Sequence, residues 1–338
     1  FRIFGRGGAL AGLTPGGSSP FRLWPPLTGA PTTERDPELG DAACPPPNPA
    51  AFHPHGIFVD GSSRLWVVNH GGRDSIEVFA IAGRGERTTL AWRGCVLLPE
   101  GTSGNDVAVA DDGTVVVSNY APSVDSLLAN VKIGFGMTTG DVLRWRRGEG
   151  WSTVPGTAAS AANGVALSPD GRTLYYAETG GARLVRIGLD GSGRAEVAVP
   201  GAPDNLSWTR QGTLYLASHT SSAAFLGCLF GAVCRSPWVL LEIEPDSLRV
   251  NEVLRHDGEV VGAIASAQQV GDLVYLGAVF GDRIGVWRAT EDATGSIRPS
   301  LAGPAPDRVL AGNAFAASRA SEPSSPGAAS TTRGAEQS

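Results

Sequence analysis

The sequence predicts an all-β fold: a six-bladed β-propeller of four-stranded antiparallel blades around a central channel. Three observations predict it. A strand–turn–strand unit recurs five times, further strand-like segments fill the intervals, and the composition favours strands and turns. Glycine supplies 46 of 338 residues, methionine one, and the apolar share is 42%. Glycine at about twice its usual share, with few Lys or Glu, disfavours long helices.

The repeated unit is a turn dipeptide followed by a short apolar strand. It reads DGSSRLWVVNH from 60, DGTVVVSNY from 112, DGRTLYYAET from 170, QGTLYLASH from 211 and GDLVYLGAVF from 271. The turns are 52, 58, 41 and 60 residues apart. Each unit follows another short strand: GIFV, DVAVA, GVALS, NLSW and GAIASA. Gly and Asp supply the turn geometry that a short hairpin needs. SIEVFAI, DVLRW, RLVRIGL and VLLEIEP add strands between hairpins. About four strands per ~40–60 residues is the period of a propeller, whose blades must stack to cover both faces. A β-sandwich with long loops is the competing arrangement. Five blades are visible, and residues 1–52 are expected to hold part of a sixth.

One propeller domain is expected over 1–312, with a disordered tail at 313–338 that is small, polar and proline-bearing. Two stretches stand outside the repeat: 119–140, expected to carry a short helix, and 220–238, apolar and holding Cys228 and Cys234. Both leave the same end of their blades and would wall a pocket. Cys228 and Cys234 read either as a local disulfide of an exported protein or as two buried thiols. Cys44 with Cys95 is a weaker pairing. A net charge of −6 argues against a nucleic-acid partner. No apolar run reaches the ~18 residues of a membrane span.

The inner strands of a propeller run side by side along the channel, so equivalent residues meet in space. The first strands begin His55-Gly56, Asn105-Asp106, Asn163-Gly164, Asp204-Asn205 and Val261-Gly262. Asn105, Asn163, Asp204 and Asn205 would offer side-chain oxygens around one point. Such a set suits Ca²⁺, which takes oxygen ligands in loose geometry, and not zinc. One carboxylate among three amides is short of charge, so a further acid is expected. Three of the five histidines fall within HPHGIFVDGSSRLWVVNH, residues 53–70. The hairpin brings His55 and His70 to one rim. His53 is expected to pack or face solvent, and His256 to sit in a turn.

HPHGI (53–57), VVNH…IEVF (67–79), LPEGTSGNDVAV (98–109), ANGVALSPDGRTLYYAE (162–178), DNLSW…GTLYLASH (204–219) and LVYLGAVF (273–280) resemble the paraoxonases in order and interval across about 50–288. These are calcium-dependent lactonases and arylesterases with a six-bladed propeller. The resemblance implies two calcium ions. Asn105, Asn163, Asp204 and Asn205 would hold a catalytic ion. Asp106 and the carbonyl of Ile57 would hold a structural one. His55 and His70 would activate water, with no nucleophilic serine motif in sight. His219 is a candidate for substrate contact. The family's GSED-like acidic motif is not in the chain and is expected upstream of residue 1. No cysteine near Trp287 matches the disulfide that closes the ring in animal members, so closure is expected from strand pairing.

The expected function is therefore calcium-dependent hydrolysis of lactones or aryl esters, a small-molecule activity of the carboxylic-ester hydrolase class in an exported protein. Two readings compete with it. One is a gluconolactonase-like or strictosidine synthase-like propeller enzyme. The other is a non-catalytic propeller serving as a binding platform.

Overall fold

A computed structural model describes residues 2–6, 8–13, 20–122, 126–228, 234–280, 283–288, 290–291, 297–298 and 308–311. The tail expected to be disordered, 313–338, lies outside them. Five four-stranded antiparallel sheets follow one another along the chain. Their first strands are Pro54–Val59, Ser103–Val109, Ala162–Leu167, Ala202–Trp208 and Ile264–Val270. Their second strands are Arg64–Asn69, Val115–Ala121, Thr173–Glu178, Leu214–His219 and Leu273–Ala278. These are the five predicted hairpins, here blades 1 to 5. In each of the first four blades, two further strands extend the meander outward. Blade 5 takes its outer strand from Arg308–Ala311, beyond a small hairpin of Thr290–Glu291 and Ile297–Arg298.

The turns work as the dipeptides predict. Asp60 Oδ1 accepts from the backbone N–H groups of Ser62 and Arg64 at 2.9 and 3.0 Å. Asp112 and Asp170 bind the N–H two residues on in the same way. Gly113 sits at φ 82°, a left-handed position that a side chain would strain.

The core lies between blades, not within them. Val68, Ile76 and Val78 of blade 1 pack with Val107, Val115 and Val117 of blade 2. Val116 and Val142 of blade 2 pack with Leu174, Tyr176 and Val185 of blade 3. Blades 3 and 4 share Leu184, Leu216 and Leu241, and blades 4 and 5 share Trp238, Leu240 and Leu276. With both faces covered, the middle strands read as unbroken apolar runs such as LWVV and LYYA rather than as alternating patterns.

Six blades were expected, and the described residues correct this to five. The N-terminal residues form a three-stranded sheet of Arg2–Arg6, Ala9–Leu13 and Phe21–Trp24. Leu10 and Trp24 pack against Leu65 and Phe79 of blade 1, while Leu13 packs against Tyr275 and Val286 of blade 5. The next segment adds no fourth strand, because it serves blade 1 instead. Trp92 N–H donates to Thr32 O, and the N–H groups of Glu34 and Asp41 donate to Trp92 and Cys95 carbonyls. The segment thus covers an outer edge that would otherwise be open, and a Cys44–Cys95 disulfide ties it down.

At the axis the first strands approach to backbone contact. A Cβ on Gly56 would lie 2.4 Å from the Asn105 carbonyl oxygen, and one on Gly164 would lie 2.5 Å from Asn205 Cα. Gly56→Ala and Gly164→Ala should each cost about 1–3 kcal/mol in urea unfolding, since backbone cannot give way as a side chain can. Gly61→Ala, with nothing within 4 Å, should stay within ~0.5 kcal/mol. Equal stability for all three variants would refute the close axial packing.

Candidate active site at the channel mouth

Every first strand carries a register shift near its start. The ladder breaks between Pro54 and Ile57, Gly104 and Val107, Ala162 and Val165, Pro203 and Leu206, and Ile264 and Ser266. A bulge leaves the residues within it unpaired and re-aims their side chains. The residues inside are His55-Gly56, Asn105-Asp106, Asn163-Gly164, Asp204-Asn205 and Ala265. Four of these sets are the predicted ones. In blade 5 the equivalent is Ala265, not Val261-Gly262, so that blade contributes a carbonyl and no side-chain donor.

The bulges touch in sequence around the axis. Gly56 lies against Asn105-Asp106, and Asp106 Oδ2 accepts from the Val165 N–H at 3.0 Å. Gly164 lies against Asp204-Asn205, and Asn205 Nδ2 donates to Ala265 O at 3.2 Å. Asn105, Asp106, Asn163 and Asp204 are all buried. Asp204 Oδ1 accepts from Asn205 Nδ2, and Oδ2 faces His219 Nε2, both at 2.9 Å. Asn163 Nδ2 donates to Thr179 Oγ1 at 3.1 Å. Its Oδ1 is buried and has no hydrogen-bond partner in the protein.

That unpaired oxygen is the clearest local fit to a hard cation, since an orphaned buried acceptor costs about 1–3 kcal/mol. Among the described residues no three His, Cys, Asp or Glu side chains are grouped to hold a metal. A cation here depends on amide oxygens with the Asp204 carboxylate, a donor set for calcium. Burial pushes the Asp106 carboxyl up to about 7, against the N–H groups of Val165 and Val107, and the Asp204 charge adds to the rise. Ile57 follows the bulge directly, opposite Val67 in the ladder.

The histidine pair forms as predicted. His55 Nδ1 and His70 Nε2 are 3.0 Å apart, and His70 Nδ1 is 2.8 Å from Asp74 Oδ1. The surrounding protein, then His70, lowers the His55 pKa to about 4, while Asp204 opposes the shift. The residue as a whole is exposed. Solvent at its open edge moderates the effect, and the imidazole is neutral at pH 7. His53 is exposed, as expected. His256 is not a plain solvent-facing turn residue: it ends an outer strand and stacks on Trp238 at 5.5 Å.

Both insertions carry helices, Leu127–Gly134 and Ser222–Cys228, and the second is closed by a Cys228–Cys234 disulfide. Phe225 packs on His219 at 4.4 Å and on Phe280 at 5.3 Å between ring centroids. His219 is therefore buried between Asp204 and Phe225, not open at the mouth as a substrate contact would be. Sequence reasoning missed Asp74, Thr179 and Tyr120. Burial, and then the Asp204 charge, push the Tyr120 phenol up to about 12. For Thr179 and Tyr120 the signal was a polar pair near the end of the second strand in blades 1 to 4, NH, NY, ET and SH.

Comparison with known proteins corrects the paraoxonase resemblance. Over 115 residues, 32% of this chain, the sequence is 33% identical to the adipocyte plasma membrane-associated protein Hemomucin of Drosophila melanogaster, and the match spans 19% of that protein. A gluconolactonase of Xanthomonas campestris has 19% identity and a TM-score of 0.44, with 71% of each chain covered. Virginiamycin B lyase of Staphylococcus aureus has 18% identity and a TM-score of 0.44, with 72% of this chain and 68% of that one covered. Structural likeness at this level carries no functional assignment. The model that matches residues 48–224 describes the SMP-30/Gluconolactonase/LRE-like region. Four of the motifs behind the resemblance, HPHGI, LPEGTSGNDVAV, ANGVALSPDGRTLYYAE and DNLSW…GTLYLASH, contain the bulges of the first strands. Of the enzyme readings left open by the sequence, the match favours the gluconolactonase-like one. Because it covers 177 of 338 residues, the chain belongs to the SMP-30/gluconolactonase/LRE-like family.

Proposed function

We propose that this chain is a calcium-dependent lactone hydrolase of gluconolactonase type. The observation that carries the proposal is the buried, unpaired Oδ1 of Asn163, in a bulge whose Gly164 packs against the Asp204-Asn205 backbone of the next blade. Asn105, Asn163, Asp204 and Asn205 would hold the ion. When bound, it supplies Lewis-acid polarisation of a lactone carbonyl. A second ion, of structural role, would be held by Asp106 and the Ile57 carbonyl.

The histidines supply the base. As a carboxylate, Asp74 needs a donor, so His70 carries its proton on Nδ1 and presents Nε2 as an acceptor. His55 then donates from Nδ1 to His70, which leaves His55 Nε2 as a bare lone pair. The order Asp74–His70–His55 thus fixes one tautomer along the chain. It leaves His55 Nε2 to take a proton from water attacking the carbonyl carbon. Return of that proton to the ring oxygen, as the C–O bond breaks, opens the lactone to a hydroxy acid.

Two disulfides and no free cysteine support an oxidising, exported setting. No helix among the described residues is long and apolar enough to cross a membrane.

Hydrolysis of glucono-δ-lactone, simple γ- and δ-lactones and phenyl acetate should require calcium and stop in EGTA. His55→Gln should lower kcat roughly 10²–10⁴-fold while retaining calcium binding. Calcium binding without turnover on any of these compounds would favour the binding-platform reading. In Asn163→Ala, loss of the Thr179 bond is offset by removal of the orphaned oxygen, so stability in EGTA should stay within about 1 kcal/mol of wild type, whereas the rise in Tm on adding calcium should be largely lost. An Asn163→Ala protein that keeps the full calcium-induced rise would remove this residue from the site.

A further inference from the structure

Three of the side chains that close the second strands reach back to the bulge of their own blade. His70 bonds His55 at 3.0 Å, Thr179 accepts from Asn163 at 3.1 Å and His219 bonds Asp204 at 2.9 Å. The residue just before each of them clamps the loop that precedes the first strand. Asn69 Oδ1 accepts from His53 N–H and Glu178 Oε1 from Ser160 N–H, while Ser218 Oγ donates to Pro200 O. The same two-residue device therefore recurs in blades 1, 3 and 4: one residue fixes the loop and the next fixes the axial side chain.

The direction of these bonds selects which atoms face the axis. Thr179 Oγ1 gives its proton to Pro203 O at 2.8 Å, so toward Asn163 it can only accept. The Asn163 amide must then present its nitrogen to Thr179, and Oδ1 is left unpaired. Had the hydroxyl donated to Asn163, the amide would turn over and present N–H groups, which repel a cation. Asp204 is an acceptor, so His219 must carry its proton on Nε2. Its Nδ1 is buried without a partner, and the ring is held in place by Phe225. The bond occupies one lone pair of Oδ2 and fixes the plane of the carboxylate.

We infer that Thr179 and His219 are positioning residues that orient Asn163 and Asp204 for a divalent cation. The inference rests on the proposed calcium site. Supporting partners of this kind change metal affinity by roughly 10–100-fold when removed.

The test is the affinity of the full chain for calcium and for terbium, by calorimetry and terbium luminescence, with thermal stability recorded in EGTA. Thr179→Val, which keeps the shape, should lose about 10-fold in affinity, and Thr179→Ser should recover it. His219→Phe should lose roughly 10–100-fold, and His219→Gln, whose amide nitrogen sits near the place of Nε2, should recover most of that. Affinity unchanged in Thr179→Val and His219→Phe would overturn the inference, and so would rescue variants that lose as much as the deletions. If His219→Phe does not fold, ¹⁵N NMR of the wild-type imidazoles decides the His219 arm. The Nε2–H tautomer is expected, and an Nδ1–H tautomer overturns it. Failure of the wild-type chain to bind either ion is a different result and removes the calcium site itself.

Discussion

The structure depends on how closely the first strands of neighbouring blades approach one another at the axis. At Gly56 and Gly164 there is room for a hydrogen and nothing larger before the next blade's backbone begins. Strands this close cannot carry a regular ladder and an inward-pointing side chain at every position. The bulges resolve the conflict. In each blade the ladder breaks at the same height, and the unpaired residues turn toward the channel. Gly alternates with Asn or Asp around the ring, so that each bulky pair faces a neighbour with no side chain. Fold and site therefore share one cause, because the step that lets five sheets meet also gathers polar groups at one end of the channel.

Gathering such groups in a buried place is costly unless their charges and lone pairs are answered. Part of the answer is internal. Asp106 takes backbone N–H groups, and the two oxygens of Asp204 are met by Asn205 and His219. The answer is incomplete at Asn163 Oδ1, and burial still raises the Asp106 carboxyl. Among the described residues, the two buried glutamates away from the axis are answered at both oxygens. Glu77 accepts from Arg73, Ser75 and Trp92, and Glu178 from Ser160 N–H and Arg183. The contrast between these closed networks and the open one at the axis is the physical basis for placing a cation there.

Much of this was legible in the sequence, for identifiable reasons. DG turns and short apolar strands are local signals, and their five recurrences gave the hairpins and hence the alignment of Asn105, Asn163 and Asp204 across blades. Strand ends were harder. Thr179 and His219 follow apolar runs as ordinary polar terminators, and only the bulge reveals that each reaches back to an axial side chain. The blade count failed because residues 25–48 carry no mark that they cover the edge of blade 1 instead of completing a blade. In blade 5 the alignment slipped from Ala265 to Val261-Gly262, since no polar residue marks that bulge. Most of the motifs that resemble paraoxonases contain the first-strand bulges, which recur from blade to blade here and so carry little that separates one propeller family from another.

The proposed site would hold one divalent cation on the axis through side chains from blades 2, 3 and 4. Diffraction from a crystal of the wild-type chain soaked in terbium, recorded at the terbium absorption edge, tests it most directly. An ion in the proposed site gives an anomalous peak within roughly 2.3–2.6 Å of oxygens of Asn105, Asn163, Asp204 and Asn205. A map with no peak there, or with terbium bound only at surface carboxylates, would contradict it.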